Sequence, residues 1–91
     1  MKQTTLEKAI QKAGYSVLPP DRELHRYDHS AKCGKAWLTF HVQNGDAICV
    51  RVAPEWDRDE PQSDYFAGSF YQTIKSAMRA VSYYNTGHWD I

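Results

Sequence analysis

Residues 36–53 constrain the fold of this chain most, because their pattern predicts two amphipathic strands joined by a tight turn. Side chains alternate along both halves with the period of a half-buried β-strand. The turn contains Asn44 and Gly45, a dipeptide typical of hairpins. One face carries the aliphatic core, comprising Leu38, Phe40, Val42, Ile48, Val50 and Val52. The opposite face carries Trp37, Thr39, His41, Ala47, Cys49 and Arg51.

Two loop lengths fit this hairpin, and they predict different registers. A two-residue loop at positions 44–45 places Leu38 opposite Arg51 and so brings a charge onto the aliphatic face. A three-residue loop that also includes the preceding glutamine places Leu38 opposite Val50 and Trp37 opposite Arg51. We therefore predict the three-residue loop, with Trp37 and Arg51 facing each other on the outer side of the sheet.

Size and composition exclude several classes of protein. The chain has 91 residues, enough for one modest core, so we expect residues 1–91 to form a single α+β domain. Its 11 basic and 11 acidic residues balance, which argues against binding nucleic acid or a membrane through overall charge. No apolar run is long enough for a signal sequence or a membrane span, and two cysteines are too few for a disulfide scaffold. We expect a cytoplasmic protein with reduced thiols.

Two amphipathic segments flank the hairpin and predict helices. Thr4 and Glu7 form a capping-box pattern, and apolar residues then recur at helical spacing until Gly14. Ser69 and Gln72 form a second capping box before a longer apolar stripe.

The segment before the hairpin has an ambiguous pattern. Residues 24–29 alternate weakly and predict a short edge strand, although Pro20 and Asp21 before them also suit a helix start. The predicted fold class is therefore α+β, a small single domain of order α-β-β-β-α. A three-stranded antiparallel meander would carry both helices on one face.

The outer face of the sheet is the first candidate site, because no predicted element covers it. An exposed Trp37 beside Arg51 and His41 forms an aromatic and cationic platform of the kind enriched at binding hot spots. The alternative is that another part of the chain, or a second copy, covers Trp37, which then only stabilises the sheet.

An acidic segment at positions 55–64 is the second candidate site. Trp56 is flanked by three acidic residues and could anchor a basic partner surface, with Asp57, Asp59 and Glu60 supplying the negative field. The alternative is a solvated loop with Trp56 folded back onto the core. The spacing and glycine of an EF-hand are missing, so calcium binding is not predicted.

The histidines and cysteines do not form a recognisable metal motif. His25, His29 and Cys33 are spaced by four, and His41 is a conceivable fourth zinc ligand, but polar surface histidines are the simpler interpretation. The sequence also lacks a G-x-S-x-G motif and a glycine-rich phosphate loop. We therefore predict no metal, no cofactor and no catalytic residue, and hence not an enzyme.

A nucleic-acid-binding or regulatory module is the alternative function, because α-β-β-β-α is also the element order of double-stranded RNA-binding domains. Those domains carry lysines at the start of the last helix, where this chain has a serine, two aromatic residues and a glutamine. The cations available for phosphate contacts are instead Lys8, Lys12, Lys32 and Lys35.

The expected function is that of a non-enzymatic protein-binding module, which occupies a site on another protein through exposed aromatic and charged side chains. Small, charge-balanced, aromatic-rich chains without catalytic motifs are common among phage and mobile-element proteins that inhibit host machinery. Anti-CRISPR and other anti-defence proteins belong to this class. The expected mechanism is steric occlusion, and self-association into a homodimer is a further alternative.

Overall fold

The computed structural model describes residues 1–54 and 69–86. The elements along these residues are α1 (Gln3–Lys12), a short 3-10 helix (Arg22–Leu24), β1 (His29–Cys33), β2 (Ala36–Gln43), β3 (Asp46–Pro54), β4 (Ser69–Tyr71) and α2 (Ile74–Thr86). The strands form one antiparallel sheet in the order β1-β2-β3-β4. The predicted α+β fold is confirmed, and the predicted three-stranded meander is extended by β4. None of the helices among the described residues has the length and hydropathy that a membrane span requires.

Both helices pack on the same face of the sheet. Leu6 and Ile10 of α1, with Ala77 and Val81 of α2, belong to one cluster of buried residues together with the aliphatic side chains of β1, β2 and β3. Fully burying a large apolar side chain contributes about 1.5–3 kcal/mol. The helices therefore cover the face of the hairpin on which the alternating aliphatic side chains predicted the core.

The turn of the hairpin differs from the prediction. Asn44 and Gly45 have φ values of 53° and 79°, the positive values that a two-residue type I′ turn requires. Val42 pairs with Ala47, which is buried in the core although it was predicted on the outer face. The predicted three-residue loop is therefore wrong.

A β-bulge restores the aliphatic face that the three-residue loop was expected to preserve. Between the strand pairs on either side of Phe40, β3 contains one residue more than β2. Cys49, with a φ of 52°, lies in this bulge and has the left-handed backbone conformation that non-glycine residues seldom adopt. Beyond the bulge Leu38 pairs with Val52, so aliphatic side chains again face each other.

Residues 24–29 do not form the predicted edge strand. β1 begins only at His29, and a 3-10 helix precedes it. Asp21 caps this helix, because its side chain accepts a hydrogen bond from the Glu23 N–H at 3.0 Å. The helix-start signal at Asp21 was therefore real, but it begins a single turn.

Both predicted capping boxes are also misplaced. α1 has Lys2 at its N-cap, with no side-chain cap bond, and its predicted end near Gly14 is confirmed. Ser69 pairs with Val52 of β3 instead of starting a helix. The cap of α2 is supplied four residues later by Thr73, whose Oγ1 accepts a hydrogen bond from the Ser76 N–H at 3.1 Å.

One side chain ties the end of α2 to the turn between β1 and β2. Oδ1 of Asn85 accepts a hydrogen bond from the Lys35 N–H at 2.8 Å, and Nδ2 donates to the carbonyl oxygens of Cys33 and Val81, each at 2.9 Å. Gly34 lies directly beneath it with a φ of 66°, and a Cβ there would overlap the Asn85 side chain. This contact fixes the C-terminal end of α2 on the sheet.

Candidate functional site

Trp37, the centre of the predicted outer platform, is buried. It pairs with Ala53 of β3, and it is 8% exposed. On its other side it pairs with Lys32, whose Nζ lies 6.0 Å from the ring centroid, at the outer limit of a cation–π contact. Arg51 pairs with Thr39, because the shorter turn and the bulge each shift the register by one residue from the prediction. The predicted pairing of Trp37 with Arg51 is therefore wrong.

The environment of Trp37 is closed to a partner in this structure. Trp37 lies outside the buried cluster under the helices, on the other face of the sheet. Within the described residues, its Nε1 is buried without a hydrogen-bond partner, as is Oγ of Ser30 on the adjacent strand. Each unpaired buried polar atom costs about 1–3 kcal/mol, so this region contributes less to stability than its burial alone would indicate. An accessible tryptophan anchor is not found here.

The other predicted partner-binding residues fall into two groups. His41 is exposed beside Asp28, with Nδ1 3.4 Å from Oδ1, and Arg51 is partly buried on the same sheet. The side chains of His41 and Asp28 are both more than half exposed, so His41 stays accessible to a partner. The acidic residues and their aromatic anchor lie outside the described residues and stay a prediction, namely Trp56, Asp57, Asp59 and Glu60.

The potential zinc ligands occupy different environments. The His29 ring stacks on Phe40 with the centroids 5.1 Å apart, whereas Nδ1 of His25 lies 3.5 Å from the Tyr27 hydroxyl. Cys33 is in the core, where burial raises the pKa of its thiol to about 12 and so keeps it protonated and unreactive. Across residues 1–54 and 69–86, no three His, Cys, Asp or Glu side chains are placed to share a metal ion.

A hydrogen-bonded loop at the edge of β1 is the feature that sequence reasoning missed. In this 18–30 loop, Leu18 and Ser30 exchange two backbone hydrogen bonds, at 2.7 and 3.0 Å. Asp21 and Arg26 exchange two more, at 2.7 and 2.9 Å. The Arg26 guanidinium also donates two hydrogen bonds to the backbone carbonyl oxygen of Pro19, from Nε at 3.1 Å and from Nη2 at 2.9 Å. These bonds hold the loop backbone in one conformation.

The 18–30 loop presents large apolar side chains to solvent. Leu18 is 43% exposed, Leu24 66% and Tyr27 68%. They are three of the five large hydrophobic residues that the described chain exposes, and the other two lie on β4 and α2. At the tip, His25 has a φ of 54°, a costly conformation that the surrounding hydrogen bonds maintain. Strain and exposed apolar surface together are typical of a binding loop.

The lysines of the alternative nucleic-acid surface do not form one patch. Lys8 and Lys12 are exposed on α1. Lys32 points to the sheet face away from the helices, because its two neighbours in β1 belong to the core. Lys35 lies in the turn after β1. The predicted set is thus divided between the helical layer and the sheet.

The structure groups the helical lysines with a different pair of cations. Lys75 and Arg79 are exposed one turn apart on α2, as Lys8 and Lys12 are on α1. The two helices contact each other, and the four cations lie opposite the residues that pack on the sheet. Glu7 is the only acidic residue within α1 and α2. We call these four side chains the basic helical face.

Comparisons with protein-family models, with curated proteins and with solved structures found no match for this chain. The candidate functional surfaces of the chain are the two described above, the 18–30 loop and the basic helical face.

Proposed function

We propose that this chain is a non-enzymatic protein-binding module and that the 18–30 loop is its principal contact. The observation that carries the proposal is the exposure of Leu18, Leu24 and Tyr27 on a loop whose backbone is already held by hydrogen bonds. A partner that covers these side chains removes apolar surface from water and does not have to order the loop. Tyrosine is also enriched among the residues that dominate binding energy.

The polar residues around the apolar tip support recognition by contact more than by charge. Arg22 and Glu23 are exposed there with opposite charges, while Asp21 and Arg26 are engaged within the loop. Opposite charges at the rim partly cancel over distances beyond the Debye length. We therefore expect the affinity for the partner to depend little on salt concentration.

Steric occlusion is the mechanism that we propose for this module. We place it among phage or mobile-element inhibitors of host machinery, of the anti-CRISPR or other anti-defence type. Its small size, its balanced charge and the absence of catalytic motifs from its sequence support this assignment, because a chain of this kind can block a site without turning over a substrate. His41 and Arg51, with the segment around Trp56, are secondary contacts in this proposal.

Capture experiments with matched variants test the proposed contact. The double variant Leu24→Ser/Tyr27→Ser removes the apolar tip, and Phe70→Ser removes an equally exposed aromatic side chain from β4 as a control. A partner from bacterial lysate should be retained by the wild type and by Phe70→Ser and lost by the double variant. With that partner purified, the double variant should bind at least about 100-fold more weakly by calorimetry, as expected when two hot-spot residues are lost.

The inhibition itself distinguishes occlusion from catalysis. The chain is added to a purified CRISPR effector or another defence nuclease that it captures. The rate of DNA cleavage should fall with chain concentration until one copy is bound per site, and it should not fall further with time. The proposal fails if the folded double variant, checked by circular dichroism, binds and inhibits as well as the wild type.

A further inference from the structure

We propose that the basic helical face binds the phosphate backbone of duplex nucleic acid, independently of base sequence. Lys8, Lys12, Lys75 and Arg79 are exposed on two adjacent helices, with Glu7 as the only carboxylate in either helix. The zero net charge of the whole chain conceals this local excess, because most acidic residues lie outside the helices. This surface is distinct from the 18–30 loop of the proposed function.

The spacing of the cations suits a duplex backbone. Residues four apart on a helix are separated by about 6 Å along its axis, and packed helices lie about 8–10 Å apart. Within each helix the two charges are therefore about 6 Å apart along the axis, and the two pairs lie on helices that contact each other, so the four cations form one array. Phosphates of a DNA strand are spaced by about 3.4 Å along the duplex axis, so long Lys and Arg side chains from this array can reach several neighbouring phosphates.

The composition of the remaining surface favours a polyanion over an acidic protein. The other exposed residues on the helices are mostly hydroxyl and amide side chains, which also bond phosphate, namely Thr4, Thr5, Gln11, Ser82 and Thr86. Tyr83 is the single large apolar residue exposed within α1 and α2, at 48%. Protein interfaces instead have an apolar centre from which lysine is depleted. With one exposed tyrosine among hydroxyl, amide and cationic side chains, the helical surface lacks that centre.

Salt dependence measures how many of the cations contact phosphate. Four contacts predict that log K falls with log[salt] with a slope of about −3.6 on B-form DNA. Each phosphate contact that is removed should reduce the magnitude of this slope by about 1 and weaken binding equally for all sequences.

Fluorescence anisotropy with a labelled 20-base-pair duplex, between 50 and 200 mM NaCl, tests the proposal. Lys8→Gln/Lys12→Gln and Lys75→Gln/Arg79→Gln should each lower the magnitude of the slope by about 2. The charge-matched variant Lys32→Gln/Lys35→Gln should keep the wild-type slope, because these residues lie outside the helical layer. DNA and RNA duplexes distinguish the two sources of the same phosphate chemistry.

Several results would overturn the proposal. Binding to polyglutamate but not to either duplex would identify an acidic protein surface as the partner. Absence of measurable duplex binding by the wild type at 50 mM NaCl would exclude the proposed contact. A smaller salt slope in Lys32→Gln/Lys35→Gln, with an unchanged slope in the helical variants, would place the phosphate-binding site on the sheet instead. Leu24→Ser/Tyr27→Ser should bind the duplex like the wild type, so this test is independent of the proposed protein contact.

Discussion

Cys49 has the backbone conformation of a glycine in the middle of a sheet. Its φ of 52° is seldom adopted by residues with a Cβ, and its side chain is exposed, so no buried contact of the thiol compensates for the conformation. What the bulge provides is the register of the aliphatic face beyond it. The conformation is thus a local cost that supports packing on the other face of the sheet.

Replacing Cys49 should therefore reveal the cost of the bulge. Cys49→Gly should stabilise the protein by about 1 kcal/mol, because glycine adopts positive φ without steric penalty. Cys49→Ala keeps the Cβ and should change the free energy of unfolding by less. Urea denaturation of both variants measures the difference. The interpretation of the bulge is wrong if the glycine variant is less stable than the alanine variant.

The bulge also explains why the faces could be predicted for β2 and for β3 beyond Cys49, but the register could not. Between the turn and the bulge the faces of β3 were predicted wrongly, because Ala47 lies in the core and Ile48 pairs with His41 on the outer face. Alternation near Leu38 correctly identified the aliphatic face, because side-chain period is a local property. The extra residue at Cys49 has no local signal, since bulges in the left-handed conformation usually contain glycine. The assumption of an uninterrupted ladder then required a longer turn, and it placed Arg51 beside Trp37.

At the scale of elements, local signals were overridden by tertiary pairing. Ser69 carries a helix-start pattern, yet it pairs with Val52, because the edge of β3 offers hydrogen bonds that an isolated helix turn cannot match. The helix start at Asp21 was recognised as an alternative, but the single-turn length of that helix was not. The 18–30 loop depends on hydrogen bonds within it and the burial of Trp37 on pairing between strands, and periodicity reports neither.

The attachment of α2 to the sheet depends on Asn85, and its removal is the prediction at this scale. Asn85→Ala leaves the Lys35 N–H and the Cys33 carbonyl without their partner, so the protein should lose about 1–3 kcal/mol of stability. Ser82→Ala, an exposed change on the same helix, should have little effect. Thermal and urea denaturation measure both. Equal stabilities would show that the Asn85 contact contributes nothing to docking α2.

At the scale of the whole molecule, the two proposed contact surfaces lie on different elements of the fold. The basic helical face lies on the side of α1 and α2 that points away from the sheet, and the 18–30 loop lies at the β1 edge. Two surfaces of different chemistry on one small fold allow a protein contact and a phosphate contact to be removed independently. The balanced composition that argued against nucleic acid is therefore a sum over segments of different local charge.

The stability of the whole fold should decline in alkaline solution because of Cys33. Burial raises the pKa of this thiol from 9.0 to about 12, so the folded state keeps a proton that the unfolded state loses. The stabilising contribution is complete below pH 9 and is lost as the pH rises from 9 towards 12, by up to about 1.4 kcal/mol per pH unit.

The ionisation of Tyr84 should also lower the stability of the fold at alkaline pH. Burial, reinforced by Tyr71 and Tyr83, raises the pKa of its hydroxyl above 10.0. Urea denaturation between pH 8 and 11 should show a falling free energy of unfolding in the wild type. Cys33→Ala should be less stable at pH 8, because it leaves a cavity, but its stability should fall less steeply with pH. Tyr84→Phe measures separately how much the Tyr84 hydroxyl contributes to the pH dependence. A slope that is unchanged in Cys33→Ala would mean that the thiol is not protected from ionisation by the core.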